Sequence, residues 1–116
     1  MNTIITIISI VTTYQWEINQ MYVKSAFLNH DIHEDIYMLQ PSGFPIAETS
    51  SFVCKLNKCL YGLKQTPRSW YEKIDTYFLK HGFKKCISYP NLYVKNFDDD
   101  VLIAVLCVDD LILTED

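Results

Sequence analysis

An α+β domain is the fold class this sequence predicts, on three observations. Residues 67–81 carry a full set of helix signals, and the C-terminal third alternates apolar runs with polar turns. The composition, with 49% hydrophobic residues and only three Gly and four Pro among 116, belongs to a packed globular chain and excludes a disordered or low-complexity segment. A chain of this length buries roughly two thirds of its unfolded surface, enough for one modest core.

The first dozen residues place Ile4, Ile7, Ile8 and Val11 at helical spacing, which predicts a buried helix despite the many β-branched side chains. Residues 17–23 alternate Ile18, Gln20 and Tyr22 against Asn19, Met21 and Val23, a strand pattern, and a short helix is expected over 25–28. Residues 36–39 and 52–56 are short strand candidates separated by a Pro/Gly/Ser loop over 41–51. The helix over 67–81 has Thr66 as N-cap, Pro67 at its first position and Gly82 at its stop. Trp70, Ile74, Tyr77 and Phe78 share one face, and Phe83 is set to close a hydrophobic contact onto Phe78. Strands follow at 91–95 and 101–108 across a turn at 97–100, with another at 111–114. Asp109 and Asp110 therefore fall in a tight turn between two apolar strands, where adjacent carboxylates repel each other unless a cation or solvent intervenes. An Asp-rich hairpin can equally be an ordinary solvated turn, and Asp98 to Asp100 read that way.

The net charge of -4 speaks by itself against a nucleic-acid binder, but the charges are unevenly spread. Residues 51–95 hold nine of the ten basic residues and only Glu72 and Asp75, whereas residues 96–116 hold seven acids and no base. Such a layout suits a polyanion held beside a cation-binding cluster. The apolar start at 4–11 is far short of the roughly 20 residues of a membrane span, and no Lys or Arg precedes Lys24 to form a secretory signal. The chain is expected to be intracellular, with Cys54, Cys59, Cys86 and Cys107 as free thiols; a zinc site joining His30 and His33 to Cys54 and Cys59 fits no common ligand spacing.

The run Val23-Lys24-Ser25-Ala26-Phe27-Leu28-Asn29, then Ile36-Tyr37-Met38, Gln40-Pro41 and Gly43-Phe44, resembles the reverse transcriptase of copia-type LTR retrotransposons. Val53-Cys54-Lys55-Leu56 and Leu60-Tyr61-Gly62-Leu63-Lys64-Gln65-Thr66-Pro67-Arg68-Ser69-Trp70-Tyr71 continue the likeness, and His81-Gly82-Phe83, Leu92-Tyr93-Val94 and Cys107-Val108-Asp109-Asp110 follow in the same order. Several motifs in one order are far more specific than any one alone. The resemblance implies a polymerase palm, an antiparallel sheet with helices packed on one face. It further implies a partial domain over 1–116, with a fingers-derived helix at 1–15, palm at 16–116, incomplete fingers and no thumb. The chain is then a piece of a longer Pol polyprotein or a decayed copy, located in the cytoplasm, in a virus-like particle where the element is intact.

By position, the resemblance makes Asp109 and Asp110 the catalytic acids that bind Mg2+ for two-metal nucleotidyl transfer, Phe27 the aromatic gate against a ribose 2′-OH, and Gln65 a residue lining the incoming dNTP. Lys55, Lys58, Lys64 and Arg68 would contact the RNA template and primer duplex. Two positions depart from the family. Tyr22 stands where the metal-bridging aspartate is expected, and Cys107 where an aromatic residue is common. A tyrosine is neutral at pH 7 and a poor ligand for a hard cation. Asp31, Glu34 and Asp35 read as a solvated loop that does not replace the lost carboxylate.

Overall fold

The computed structural model describes residues 2–43, 51–108 and 110–116. In chain order the elements are α1 (Asn2–Tyr14), β1 (Glu17–Tyr22), a 3-10 turn (Ala26–Asn29), β2 (Tyr37–Leu39), β3 (Val53–Lys55), α2 (Thr66–Lys80), β4 (Lys84–Lys85), β5 (Leu92–Phe97), β6 (Asp100–Cys107) and β7 (Asp110–Glu115). Every predicted element is present within a few residues; β4, two residues long, carries no pattern by which a sequence could announce it. Most of the loop expected over 41–51, and Asp109, lie outside the described residues.

Five strands form one antiparallel sheet in the order β1-β7-β6-β5-β4, and β2 pairs with β3 in a separate ladder. Backbone bonds from Leu56 N–H to the Ile36 carbonyl and from Cys59 N–H to the His30 carbonyl, both 2.9 Å, carry that second ladder beyond its strands. Residues 30–39 thus run alongside residues 53–59.

The apolar run of β6 explains how the layers stack. Ile103, Ala104, Val105 and Leu106 are buried in succession, so both faces of this strand are covered. Ile103 and Val105 pack against Ile7 and Val11 of α1, with Val94 and Ile112 alongside. Ala104 and Leu106 point the other way, to Phe78 of α2 and Tyr93 of β5. The two helices therefore lie on opposite faces of the sheet, not on one face as the family resemblance implied. A single-sided arrangement would leave alternate residues of a continuous apolar strand in water, at about 1.5–3 kcal/mol for each large side chain left exposed.

Two further expectations change in detail. On α1 the sheet-facing stripe is Thr3, Ile7 and Val11, while Ile8 turns outward with Ile5. On α2, Tyr77 is exposed and stacks on His81 at 4.1 Å between ring centroids, leaving Trp70, Ile74 and Phe78 as the buried face. The C-terminal stop forms as expected: Gly82 adopts φ 85, its N–H reaches the Leu79 carbonyl, and Phe83 N–H reaches the Phe78 carbonyl at 3.1 Å. The rings of Phe78 and Phe83 meet at 4.8 Å. Thr66, in contrast, is no cap. Gln65 occupies the N-cap position without a side-chain bond, and the buried Thr66 hydroxyl donates instead to the Leu60 carbonyl at 2.8 Å. A hydroxyl drawn to the preceding loop cannot also turn back to the helix's own amides.

A polar tie fixes α2 against the sheet. The hydroxyl of the fully buried Tyr93 donates to Asp75 Oδ1 at 2.7 Å, and Lys85 Nζ approaches the same oxygen at 2.8 Å. Burial opposes the Asp75 charge, but the hydrogen bonds from Lys85 and Tyr93 outweigh it and hold the carboxyl below its ordinary value. Burial, with Asp75 beside it, pushes the Tyr93 phenol up, so that group stays protonated as the donor. Because folding lowers the Asp75 pKa, its stabilisation is complete above the unfolded value of about 3.9 and drains away as pH falls through the lower folded value. We predict that Asp75→Ala, by stranding the Tyr93 hydroxyl, costs about 1–3 kcal/mol at pH 7. Urea unfolding at pH 7 and pH 3 checks this: the difference between native and variant should shrink at the lower pH, and a difference unchanged by pH would show that the carboxylate is not the source.

Candidate active site

The strand register brings together three positions that the family resemblance singles out. Tyr22, the last residue of β1, pairs with Asp110, the first of β7, and Asp110 pairs with Cys107, the last of β6. Directly paired residues share a face, and Cys107 packs with the cluster on the α1 side, so the three side chains stand in a row there. Tyr22 is 62% exposed. Burial raises the Cys107 thiol above its ordinary pKa, with the Asp110 charge adding to the effect, so the thiol is protonated at neutral pH. Asp109 lies outside the described residues.

Beside this row the backbone is held under strain. Val108 adopts φ 50 although it is β-branched, a conformation that costs on the order of 1–3 kcal/mol and persists only where the surroundings enforce it. The enforcing contact comes from α2: the Trp70 indole Nε1–H donates to the Val108 carbonyl at 2.6 Å. Trp70 is itself buried against Ala26 and Phe27. The 3-10 turn that carries those two residues is pinned from behind by Lys73, whose ammonium donates to the Asn29 carbonyl at 2.7 Å.

Phe27 is thus a buried ring whose aromatic neighbour is Tyr61, at 4.8 Å between centroids. Gln65, expected to share a nucleotide site with Phe27, donates its amide to Glu34 at 3.0 Å, on residues 30–36. Tyr61 was missed by sequence reading. It lies 34 positions from Phe27, and no periodicity links residues across that distance.

Three of the four basic residues expected to meet nucleic acid are already engaged. Lys55 pairs with Asp35 at 2.7 Å, Lys58 with Asp31, and Arg68 with Glu72 at 3.0 Å; Lys64 has no ion pair among the described residues. Asp31 and Asp35 thus pair with the basic segment while staying exposed to solvent. Hydrogen bonding to Lys58 holds the Asp31 carboxyl below its ordinary pKa, and the bond to Asp35 raises that of Lys55. All of these groups are well exposed, so solvent and salt screen the pairs and they add little to stability.

A hard divalent cation asks for several anionic or carbonyl oxygens. Asp110 offers its carboxyl oxygens, Tyr22 one phenol oxygen and Cys107 a thiol that burial keeps from ionising easily. Among the described residues no group of three His, Cys, Asp or Glu side chains stands close enough to hold an ion. The described donors do not fit a Mg2+ ion.

The β6–β7 hairpin of the antiparallel sheet brings Asp110 to a strand end beside Tyr22. All of residues 1–116 match the model of the reverse transcriptase (RNA-dependent DNA polymerase) family. The chain belongs to that family. It is 45% identical over 114 residues to the Retrovirus-related Pol polyprotein from transposon TNT 1-94 of Nicotiana tabacum, a match covering 97% of this chain and 9% of the relative. It is 37% identical over 108 residues to the Pol polyprotein from transposon RE1 of Arabidopsis thaliana, covering 93% and 7%. The transposon Ty1-MR1 Gag-Pol polyprotein of Saccharomyces cerevisiae is 31% identical over 111 residues, covering 95% and 6%. These are transposon polyproteins of the copia type, and the chain spans less than a tenth of the length of each. No solved structure matches the chain. No helix among the described residues is long and apolar enough to cross a membrane.

The link from Trp70 to Val108 generates a prediction. Trp70→Ala should destabilise the chain by about 3–5 kcal/mol, the range for a buried large aromatic. Trp70→Phe, which keeps a ring but loses the N–H donor, should cost about 1 kcal/mol beyond its packing loss. Urea denaturation is the check, and a loss below about 0.5 kcal/mol for Trp70→Ala would mean that the helix and the strained turn are not joined there.

Proposed function

We propose that this chain is a palm segment of a copia-type reverse transcriptase, encoded within a longer Pol polyprotein, and that in its present form it does not transfer nucleotides. The observation that carries the proposal is the pairing of Tyr22 with Asp110 in the sheet register. A carboxylate at position 22 would stand beside Asp110 as a second hard anionic ligand. A phenol there supplies no charge at neutral pH and puts a ring in the anion's place. Removing one preorganised charge-stabilising group commonly costs about 3–4 kcal/mol of barrier, a hundred- to thousandfold in rate.

In this reading Asp109 and Asp110 descend from the two-metal, Mg2+-dependent site of RNA-directed DNA synthesis. Phe27, flanked by Tyr61, is the ribose gate, and Gln65 borders the dNTP. Template RNA and primer duplex are the lineage's partners. A palm that merely binds RNA through Lys55, Lys58, Lys64 and Arg68 is the weaker alternative. Three of those cations already have carboxylate partners, so fewer counterions are available for release on binding.

The informative experiment grafts this segment, with and without Tyr22→Asp, into a complete copia-type enzyme and measures Mg2+-dependent nucleotide incorporation on a primed RNA template. Incorporation is expected only with the aspartate. If the Tyr22 form works within about tenfold of the reverted one, a gap of roughly 1.4 kcal/mol, another carboxylate does the work and the proposal is wrong.

A further inference from the structure

The two edges of the five-stranded sheet are finished differently. β4 consists of Lys84 and Lys85 alone, a short charged edge of the kind that keeps sheets from pairing with one another. β1 runs for six residues, all exposed, with Glu17 as its single charge and neither Lys nor Pro within it. Among the described residues no strand pairs with its outer side. One contact fixes which backbone groups that side presents. The buried Thr114 hydroxyl of β7 donates to the Glu17 carbonyl at 2.7 Å, so that carbonyl faces into the sheet. Successive residues of a strand turn their N–H and C=O groups to opposite sides, and Ile18, Gln20 and Tyr22 therefore present theirs outward.

We infer that β1 is an interface for a second copy of this chain, pairing antiparallel with its own counterpart about a two-fold axis at Gln20, so that one sheet continues through both molecules. Residues directly opposite in an antiparallel pair share a face, and their backbone groups turn toward each other or away together. An axis at Gln20 meets both conditions. Gln20 faces Gln20 of the second copy, Ile18 faces Tyr22 of the second copy, and every outward N–H and C=O of the strand has a partner. An axis at Asn19 would instead set Tyr22 against Trp16 of the second copy, which lies outside the strand. The side chains suit the same register: Ile18 with Tyr22 is a β-branched and aromatic pair, and the two Gln20 amides are complementary to each other. The two Glu17 carboxylates fall at opposite ends of the seam, about 20 Å apart at roughly 3.4 Å per residue, well beyond the screening length of physiological salt. A strand of other sequence would supply the backbone bonds as well; the match of exposed side chains with their own symmetry mates favours the second copy. The inference does not rest on the proposed function, since backbone pairing at this edge needs no metal, nucleic acid or carboxylate at position 22.

The test is sedimentation equilibrium of the full 116-residue chain over a range of concentrations up to about 1 mM. A seam of this length is smaller than a standard interface, so the expected dissociation constant is on the order of 100 μM. The mass should rise from 13.6 kDa to a plateau at twice that value, because a two-fold contact closes on itself. Gln20→Lys and Gln20→Glu each set like charges face to face at the axis and should each weaken association by roughly tenfold or more. Mixed in equal amounts, the two variants should associate at least as tightly as the native chain. Among antiparallel registers only this one sets residue 20 against its own copy, so the rescue reads the axis directly. A chain that stays monomeric throughout would overturn the second copy as occupant and leave the edge to a strand of other sequence. A mass that climbs past the dimer without a plateau would overturn the closed seam, as would undiminished association by either folded variant or a mixture no tighter than each alone. Should the variants fail to fold, intermolecular nuclear Overhauser contacts in a mixture of 13C-labelled and unlabelled native chain decide: contacts between Ile18 and Tyr22 support the seam, and contacts confined to other residues refute it.

Discussion

β6 must be covered on both of its faces, and that requirement organises the molecule. A strand of an antiparallel sheet commonly buries alternate residues and shows the rest to water. Here four consecutive residues, Ile103 to Leu106, are buried, and each pair of neighbours looks toward a different helix. The order of the strands follows from this need. β5 and β7 flank β6 and share its two-sided cover, whereas β1 lies at the edge with all six residues exposed. Tyr22 and Asp110 meet where the edge strand joins this covered centre, within reach of solvent yet on a rigid frame.

Trp70 carries that rigidity to the turn. Its indole is packed under the 3-10 turn and bonded to a carbonyl of the connection between β6 and β7, so three sequence-distant segments share one side chain. Val108 can keep a conformation that its branched side chain disfavours because the helix behind it does not yield.

Electrostatics behave differently from what the charge count along the chain conveys. Residues 51–95 are rich in cations, but residues 31–35 fold beside them and bring their own carboxylates. Local neutralisation of this kind shortens the reach of the positive field, which at physiological salt is already confined to about 8 Å. A phosphate backbone approaching this surface would first have to displace Asp31, Asp35 and Glu72 from their partners.

The sequence alone determined the element types, the cap at Gly82 and Phe83, and the family. These features rest on local chemistry: periodicity, the left-handed freedom of glycine, and motif order along one chain. The unbroken apolar run in β6 also held the clue to two-sided cover, which the family resemblance obscured. Only the tertiary structure decided that α1 and α2 take opposite faces, that Thr66 serves the Leu60 carbonyl and not the helix, that Tyr61 abuts Phe27, and that Trp70 holds Val108. Each of these depends on residues distant in sequence meeting in space. The energy of such a meeting is set by what else competes for the same atom or the same face, and that competition is settled by the whole packed chain.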